Sequence, residues 1–268
     1  MIFYIESPAI LAPGLDDWFQ AKRVFNGDIP YKSTPILDPM PSIIPANIQR
    51  RCSYSTLLAI GVAEQTLNSS SRSADDINAV FASSVGDPEI DNKLCISVSA
   101  DEPMPSPIQF HNSVHNAPAG YWSIATRSQS HTTSLAAGGD SFTASLLSAY
   151  SQMSNESKAV MLVAYDQPLQ GGMSVGHTLS RTFACSLLLS PYKSDNSLIS
   201  VDLDLVDFDA GKREPEKSEV LAELTDLFRT VPAAKSLSLF SLLARPEYRT
   251  LIMDYTSDIS VVLTCQTV

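Results

Sequence analysis

The chain has 268 residues, 44% of them hydrophobic and 18% charged, and its formal net charge is −11. This length and composition are typical of a globular protein that folds without disulfide bonds, and the sparse charge predicts elements covered on several sides or a face kept for a partner. The acidity argues against a nucleic-acid-binding protein and against docking to an anionic membrane surface, because both require basic residues.

Strands and helices alternate in the first part of the chain. Short apolar runs predict strands, and helical spacing of apolar residues after a capping serine predicts a buried helix. A stretch with five prolines predicts an irregular loop. In chain order we expect a strand at 2–5, the loop at 26–48, a helix from its cap Ser53 to about Leu67, a strand at 77–83 and a helix at 88–98.

The middle of the chain contains the most apolar predicted strands. Two continuous apolar runs are typical of strands that are buried on both faces. Serine followed by proline predicts the start of a short helix before them. In chain order we expect that helix from Ser106 to about Pro118, a strand at 130–136, a central helix from Asp140 to Met153, and the buried strands at 159–165 and 183–189.

The chain becomes strongly acidic from about residue 195. Residues 195–226 contain ten acids and three bases, which is most of the net negative charge. Alternation of apolar and acidic residues predicts a half-exposed strand, and helical spacing predicts an amphipathic helix. The expected elements are the strand at 198–206, the helix at 215–229 with Val220, Leu221, Leu224, Leu227 and Phe228 inward, and a last strand at 259–265.

The cysteines and the first ten residues indicate the cellular compartment in which the protein works. Cys52, Cys95, Cys185 and Cys265 are widely spaced without a CxxC motif, which predicts reduced and mostly buried thiols. The first ten residues lack a basic segment and contain Glu6, and no apolar run reaches 18 residues. We therefore expect a cytoplasmic protein without a signal peptide or membrane span.

Two motifs suggest enzymes of other classes. Gly172-Met173-Ser174-Val175-Gly176 matches the GxSxG pattern of serine hydrolases, but no strand ends directly before it and no helix is predicted directly after it, so a glycine-rich loop accounts for it better. His111 and His115 are four residues apart on one predicted helix, which is a spacing that can bind zinc. The glutamate of zinc proteases is absent, and Asn112 and Asn116 repeat the spacing, so we expect a polar interface and no metal.

The junction between the strand at 130–136 and the central helix has the backbone of a catalytic site. A helix N-terminus offers free N–H groups and a positive dipole end, and such a junction often carries a nucleophilic thiol or hydroxyl. Here the junction carries Ala136, Ala137, Gly138 and Gly139. The sequence therefore predicts the expected backbone without a reactive side chain.

Residues 105–190 resemble the β-ketoacyl-synthase-like proteins called chain length factors, in particular those of aryl polyene biosynthesis. The stretches that carry the resemblance are PSPIQFHNSVHNAPAGYWSIAT, SLAAGGDSF, AVMLVAYD and FACSLLLSP, and RRCSYS and FASSVGD also fit. The resemblance covers residues 1–190 and is most specific in the FHNSVHNA…GYWSIA segment. It implies a thiolase-like α/β layered fold as a single domain over 1–268, with a complete first half, 1–194, and a reduced second half, 195–268.

The resemblance also implies that the chain lacks catalytic groups. It places Ala137 at the position of the ketosynthase cysteine, or Gly138 if the register slips by one residue. Ketosynthases use two histidines from their second half, and no histidine follows His177 here. Without a thiolate no acyl-enzyme forms, so we expect a non-catalytic subunit with no cofactor or metal.

The implied partner is an active ketosynthase subunit, with which a degenerate copy forms a heterodimer and shapes the acyl tunnel. Candidate tunnel residues are Asp87, Ile90 and Leu94, although Ile90 and Leu94 also fit an ordinary core. Candidate interface residues are Phe110, His111, Asn112, His115 and Asn116. Carrier proteins are acidic, and this chain is itself strongly acidic apart from pairs such as Lys22-Arg23 and Arg50-Arg51. We therefore expect the partner to make most of the contact with the acyl carrier protein.

Two alternatives remain open from the sequence. One is a stand-alone hydrolase that uses Ser174 or a metal enzyme that uses His111 and His115. The other is a free-standing acyl-binding regulatory protein that needs no partner.

Overall fold

One sheet of eight strands runs through the protein in the computed structural model, which describes residues 2–36, 39–174, 179, 181–207 and 222–268. The strand order is β3-β2-β4-β5-β1-β6-β8-β7. The strands are β1 Ile2–Leu11, β2 Ile77–Ala82, β3 Thr132–Leu135, β4 Ala159–Asp166, β5 Phe183–Ser190, β6 Ile199–Asp207, β7 Arg249–Asp254 and β8 Ile259–Thr267.

The sheet is mixed. Strand β2 runs parallel to β3 and β4, whereas β5, β1, β6, β8 and β7 continue the sheet through antiparallel pairs. Because β2, β3 and β4 are parallel, their carboxyl ends lie at the same edge of the sheet, which is where open α/β sheets usually bind ligands.

Helices cover both faces of the sheet. They are α1 Trp18–Phe25, α2 Ala46–Gln49, α3 Tyr54–Ser69, α4 Pro88–Val98, α5 Pro107–Asn112, α6 Ala117–Thr126, α7 Ser141–Glu156, α8 Thr225–Thr230 and α9 Leu237–Ala244. Successive side chains of β4 alternate between two cores: Val160 and Leu162 pack with α7 and α9, and Met161 and Val163 pack with α3. The sheet is therefore the middle of three layers, as expected for a thiolase-like α/β fold.

The acidic part of the chain extends this same sheet. Strand β6 pairs with the free edge of β1, and β8 and β7 follow. Val201 and Leu203 of β6 are buried, whereas Asp202 and Asp204 are exposed on the other face. The alternation seen in the sequence is thus explained by a strand with one covered face.

Most predicted elements are found close to their expected bounds. The α4 helix spans the predicted residues 88–98, the side chain of Ser53 caps α3, and every residue of β4 and β5 is buried. In the predicted helix 215–229, Leu224 and Leu227 are buried. Residues 215–221 of that helix, including Val220 and Leu221, lie outside the described residues.

The predicted helix from Ser106 to Pro118 is wrong. The chain forms α5, a turn at residues 113–116 and then α6. Pro118 lies in the first turn of α6, where a proline is tolerated because the N–H it lacks has no helical partner there. His111 therefore lies at the end of α5 and His115 in the turn, and the two do not share a helix face.

Candidate functional site

The candidate site lies at the carboxyl ends of β2, β3 and β4. The chain leaves β3 at Leu135, turns through residues 136–140 and enters α7 at Ser141. This strand–turn–helix arrangement matches the expected junction. Ala136, Ala137, Gly138 and Gly139 are all exposed, so the turn is open at the surface of the chain.

The turn contains a left-handed glycine and no thiol or hydroxyl side chain. Gly138 has φ +53°, in the left-handed region that glycine adopts without steric cost, whereas Ala137 has φ −140°. A Cβ atom at Gly138 or Gly139 would meet no atom within 4 Å. As in a nucleophile elbow, a strand comes before this turn and a helix follows it, and the exposed positions of the turn carry only alanine and glycine.

Polar contacts hold the turn in place. The Ser141 hydroxyl accepts a hydrogen bond from the Ala137 N–H at 3.0 Å and donates to the Gly138 carbonyl at 2.8 Å. Asp140 pairs with Lys235 at 3.0 Å, which ties the turn to the 3-10 turn Pro232–Ser236. Because both hydrogen bonds of the Ser141 hydroxyl are made to the backbone of the turn, this side chain stabilises the shape of the turn.

A buried carboxylate lies at the same edge of the sheet. Asp166, at the end of β4, is fully buried; its Oδ1 accepts from the Ser84 N–H at 2.8 Å and from the Ser83 and Ser84 hydroxyls. Its Oδ2 accepts from the Ala233 N–H at 2.8 Å. Burial raises the pKa of Asp166 and the hydrogen bonds from its neighbours oppose that shift. Asp166 therefore joins β2, β4 and Pro232–Ser236.

The cysteines do not supply a nucleophile to this edge. Burial raises the pKa of Cys52 to about 11 and those of Cys185 and Cys265 to about 12, so all three are thiols at neutral pH. Cys185 lies on β5 inside the core, where its thiol donates to Ser236. Cys95 is exposed on α4, which is a different element from the turn at 136–140 and is distant from it in the sequence.

Ser174 lies in a 3-10 turn, Gly171–Ser174, rather than at a strand-to-helix elbow. Strand β4 ends at Asp166, and the exposed Ser174 hydroxyl donates to the Gly171 carbonyl at 2.7 Å. The remaining positions of the GxSxG motif, 175 and 176, and His177 lie outside the described residues.

The histidine and asparagine candidates have different environments. His111 and Asn116 are exposed, and the Nε2 atom of His115 lies 3.1 Å from the Ser83 carbonyl oxygen. Asn112 is buried; its amide donates to the Arg51 carbonyl and accepts from the Tyr121 hydroxyl at 3.0 Å. Within the described part of the chain, no group of three or more potential metal ligands occurs.

Exposed apolar side chains concentrate in one segment, residues 96–124, which we call the apolar segment. Seven large hydrophobic residues there are at least half exposed, and α4 packs against α5 within it. Those residues are Ile96, Val98, Met104, Ile108, Phe110, Val114 and Ile124. Exposed apolar residues this close together in the sequence make the apolar segment a candidate for an interaction surface.

The candidate tunnel residues come directly before this segment in the sequence, at the cap and in the first two turns of α4. Asp87 caps α4 by accepting from the Ile90 N–H at 3.0 Å. Asp87 and Ile90 are both 7% exposed, and Leu94, one turn further along, is half-buried. The side chains of Asp87, Asn112 and His115 meet in one narrow pocket.

The model of the β-ketoacyl synthase N-terminal domain matches residues 18–236, which is most of the chain and includes β2, β3, β4 and the turn before α7. The chain belongs to this ketosynthase family. No curated protein matches the sequence significantly.

Solved structures share the fold of this ketosynthase-family chain. One is a chain from the complex of the ketosynthase ApeO with its chain length factor ApeC from Xenorhabdus doucetiae, with 18% identity, a TM-score of 0.70 and coverage of 98% of this chain and 99% of that one. A second, the ishigamide ketosynthase/chain length factor, has 13% identity, a TM-score of 0.72 and full coverage of both chains.

A third similar structure contains a type II polyketide synthase carrier protein with its ketosynthase, at 12% identity and a TM-score of 0.72 over 100% of this chain and 99% of that one. At these identities the likeness shows the fold alone. Among the described residues, no helix is both long and apolar enough to cross a membrane.

The sequence analysis missed two residues that shape the site, Asp166 and Lys235. A signal for Asp166 was present, because it is the one charged residue that directly follows the apolar run 159–165. A charge at the end of a buried strand needs local hydrogen-bond partners. Lys235 offered no comparable signal, since its partner Asp140 is distant in sequence.

Proposed function

We propose that this chain is a non-catalytic chain length factor that pairs with an active β-ketoacyl synthase. The observation that supports the proposal is the turn at 136–140, which joins β3 to α7 and carries Ala137 and Gly138. The resemblance aligns these positions with the ketosynthase cysteine. Acyl transfer through a covalent intermediate requires a thiol or hydroxyl at that point. The chain then contributes structure, and its partner contributes the chemistry.

Two surfaces support a partner of similar fold. Strand β3 pairs only with β2 among the described strands, so its outer edge has free backbone groups, and the buried Ser134 hydroxyl on it has no hydrogen-bond partner in the described structure. An open edge is able to pair with a strand of another chain. Helix α6, at the end of the apolar segment, contacts β3. The edge and the apolar segment therefore offer neighbouring parts of one interface.

We assign control of the product's chain length to residues at the start of α4. Asp87 and Ile90 at its start are buried, Leu94 is half-buried, and all three directly precede the apolar segment in the sequence. In a heterodimer formed through the apolar segment, these residues would close the far end of the partner's acyl tunnel, and their bulk would limit the length of the product. The product class, aryl polyenes, rests on the resemblance of residues 105–190.

The charge distribution bears on the carrier protein. Lys22-Arg23 and Arg50-Arg51 are exposed basic pairs in an acidic chain. Acidic carrier proteins dock on basic surfaces, so we assign most of that contact to the partner ketosynthase. Charge reversal of basic residues on the partner should lower turnover more than reversal of Arg50 and Arg51 here.

The proposal is tested by co-expressing the chain with a β-ketoacyl synthase from the same organism. We expect a stable 1:1 complex that extends acyl chains, while Ala137→Cys gives this chain no activity of its own. Leu94→Phe should shorten the products and Leu94→Ala should lengthen them. Leu205→Ala, on the exposed face of β6, is the control and should leave product length unchanged.

Two results would overturn the proposal. One is a chain that stays monomeric in the presence of the ketosynthase. The other is catalytic activity of the isolated chain that Ser174→Ala or His111→Ala abolishes, because that result would support the hydrolase or metal-enzyme alternative.

A further inference from the structure

A narrow pocket lies between the start of α4 and the turn before α6. Helices α3, α5 and α6 and strand β4 contribute to it together with the start of α4, and its accessible volume is about 10 Å³. That is roughly the space that one small polar group fills. Its lining residues are Ser55, Thr56, Gly86, Asp87, Asn112, Val114, His115, Pro118 and Tyr165. Val114 is 50% exposed and belongs to the apolar segment, so the pocket opens beside that segment.

Asp87 contributes an unsatisfied charge to this pocket. Its Oδ1 caps α4, whereas its Oδ2 is buried and has no hydrogen-bond partner among the described residues. The residue as a whole is 7% exposed. A buried carboxylate oxygen without a donor is unfavourable, so a native structure normally supplies one.

The groups around Asp87 are acidic or neutral, and a carboxylate oxygen makes its strongest hydrogen bonds to positively charged donors. Asp91 on the next turn of α4 has a raised pKa because of burial and the charge of Asp87, and burial, Asp166 and Asp87 raise the pKa of the Tyr165 hydroxyl. No ion pair to Asp87 forms within the described part of the chain. His115 lines the pocket, but its Nε2 atom is directed at the Ser83 carbonyl.

From this geometry we infer that Asp87 receives a lysine or arginine side chain of the partner subunit when the apolar segment is covered. The inference rests on the proposed function. Docking would remove water from the mouth of the pocket at Val114, and the free Oδ2 would then need a donor from the partner. A charged hydrogen bond at such a position fixes the register of the two chains.

The experiment measures the affinity of the ketosynthase partner for the full chain with Asp87→Asn and Asp87→Ser. Asparagine and serine both cap helices, so α4 retains its cap while the charge is removed. We expect the dissociation constant to rise at least tenfold for both variants and the thermal midpoint of the free chain to stay the same. Asp91→Asn is the matched control and should change the affinity less than twofold.

Opposite charge reversals on the two subunits identify the side chain of the partner that contacts Asp87. Asp87→Lys should abolish binding, and substitution of glutamate for one lysine or arginine on the partner's interface should restore it. Recovery at one position supports a direct pair, which a merely structural role of Asp87 would not produce.

The outcomes separate this inference from the proposed function. If the wild-type chain does not bind a ketosynthase, the proposed function fails and the inference fails with it. If the wild type binds and Asp87→Asn binds equally well, the inference alone is overturned, and the pocket holds a water molecule. An unchanged affinity with an altered product length also overturns it, because Oδ2 would then face the acyl chain.

Discussion

Asp166 shows how one buried side chain organises the site. Its two oxygens accept hydrogen bonds from Ser83 and Ser84 after β2 and from Ala233 at the start of Pro232–Ser236. These groups are far apart in sequence. The carboxylate thus connects the parallel strands to the C-terminal part of the chain, next to the turn that holds Ala137.

Asp166→Asn should destabilise the protein by roughly 3 kcal/mol, because an amide supplies one acceptor oxygen where the carboxylate supplies two. Urea unfolding, followed by circular dichroism, measures the change. Asp101→Asn, at an exposed position, is the control and should have almost no effect. Equal stability of the two variants would contradict the connecting role of Asp166.

The thiols make a second test at the scale of single residues. At pH 8 we expect one fast-reacting thiol per native chain, Cys95, which is exposed, and Cys95→Ser should remove that reaction. The half-buried Cys52, with a pKa of about 11, should react faster as the pH rises towards that value, because only the thiolate is a nucleophile. Reaction with a chromogenic disulfide measures both rates, and a fast thiol in Cys95→Ser would refute the assignment.

At the scale of elements, the break between α5 and α6 depends on Asn112. Its side chain holds α5 to the Arg51 carbonyl and to Tyr121 on α6. Asn112→Ala should therefore lower the free energy of unfolding by about 2 kcal/mol, since it leaves buried groups unpaired. Thermal and urea unfolding test this, with the exposed neighbour His111→Ala as control. A larger loss for His111→Ala would show that the contacts of Asn112 do not hold the two helices together.

Local sequence signals predicted the elements that depend on local rules. The α4 helix has its cap Asp87 and its first-turn proline in sequence, and β4 and β5 are continuous apolar runs. Pro118 was assigned to a helix end, although proline occurs equally well in a first turn. Helices α1 and α9 and strand β7 were missed because they are short and gain their stability from packing on the sheet.

The candidate site was predicted in part for the same reason. The turn at Ala137 and Gly138 follows from a strand, two glycines and a helix in sequence. The pocket that joins Asp87 to His115 was beyond the sequence, because it forms only when α4 and the turn before α6 pack together.

At the scale of the whole molecule, the apolar segment separates folding from association. Phe110 is 68% exposed, so Phe110→Ser should not change the stability of the free chain but should weaken binding to a ketosynthase at least tenfold. Phe19→Ser is a matched control, since Phe19 is 73% exposed on α1. Calorimetric titration measures both variants, and equal losses would show that the apolar segment is not the interface.

The central position of β1 has a consequence for how the protein is made. Strand β1 is synthesised before its partners β5 and β6, which appear only roughly 170 residues later, and at ~5–20 residues per second this takes on the order of ten seconds or more. During that time the apolar strand β1 is part of a ribosome-bound chain that does not yet contain the strands it pairs with. Synthesis of this chain should therefore depend on chaperones that shield the newly made strand β1.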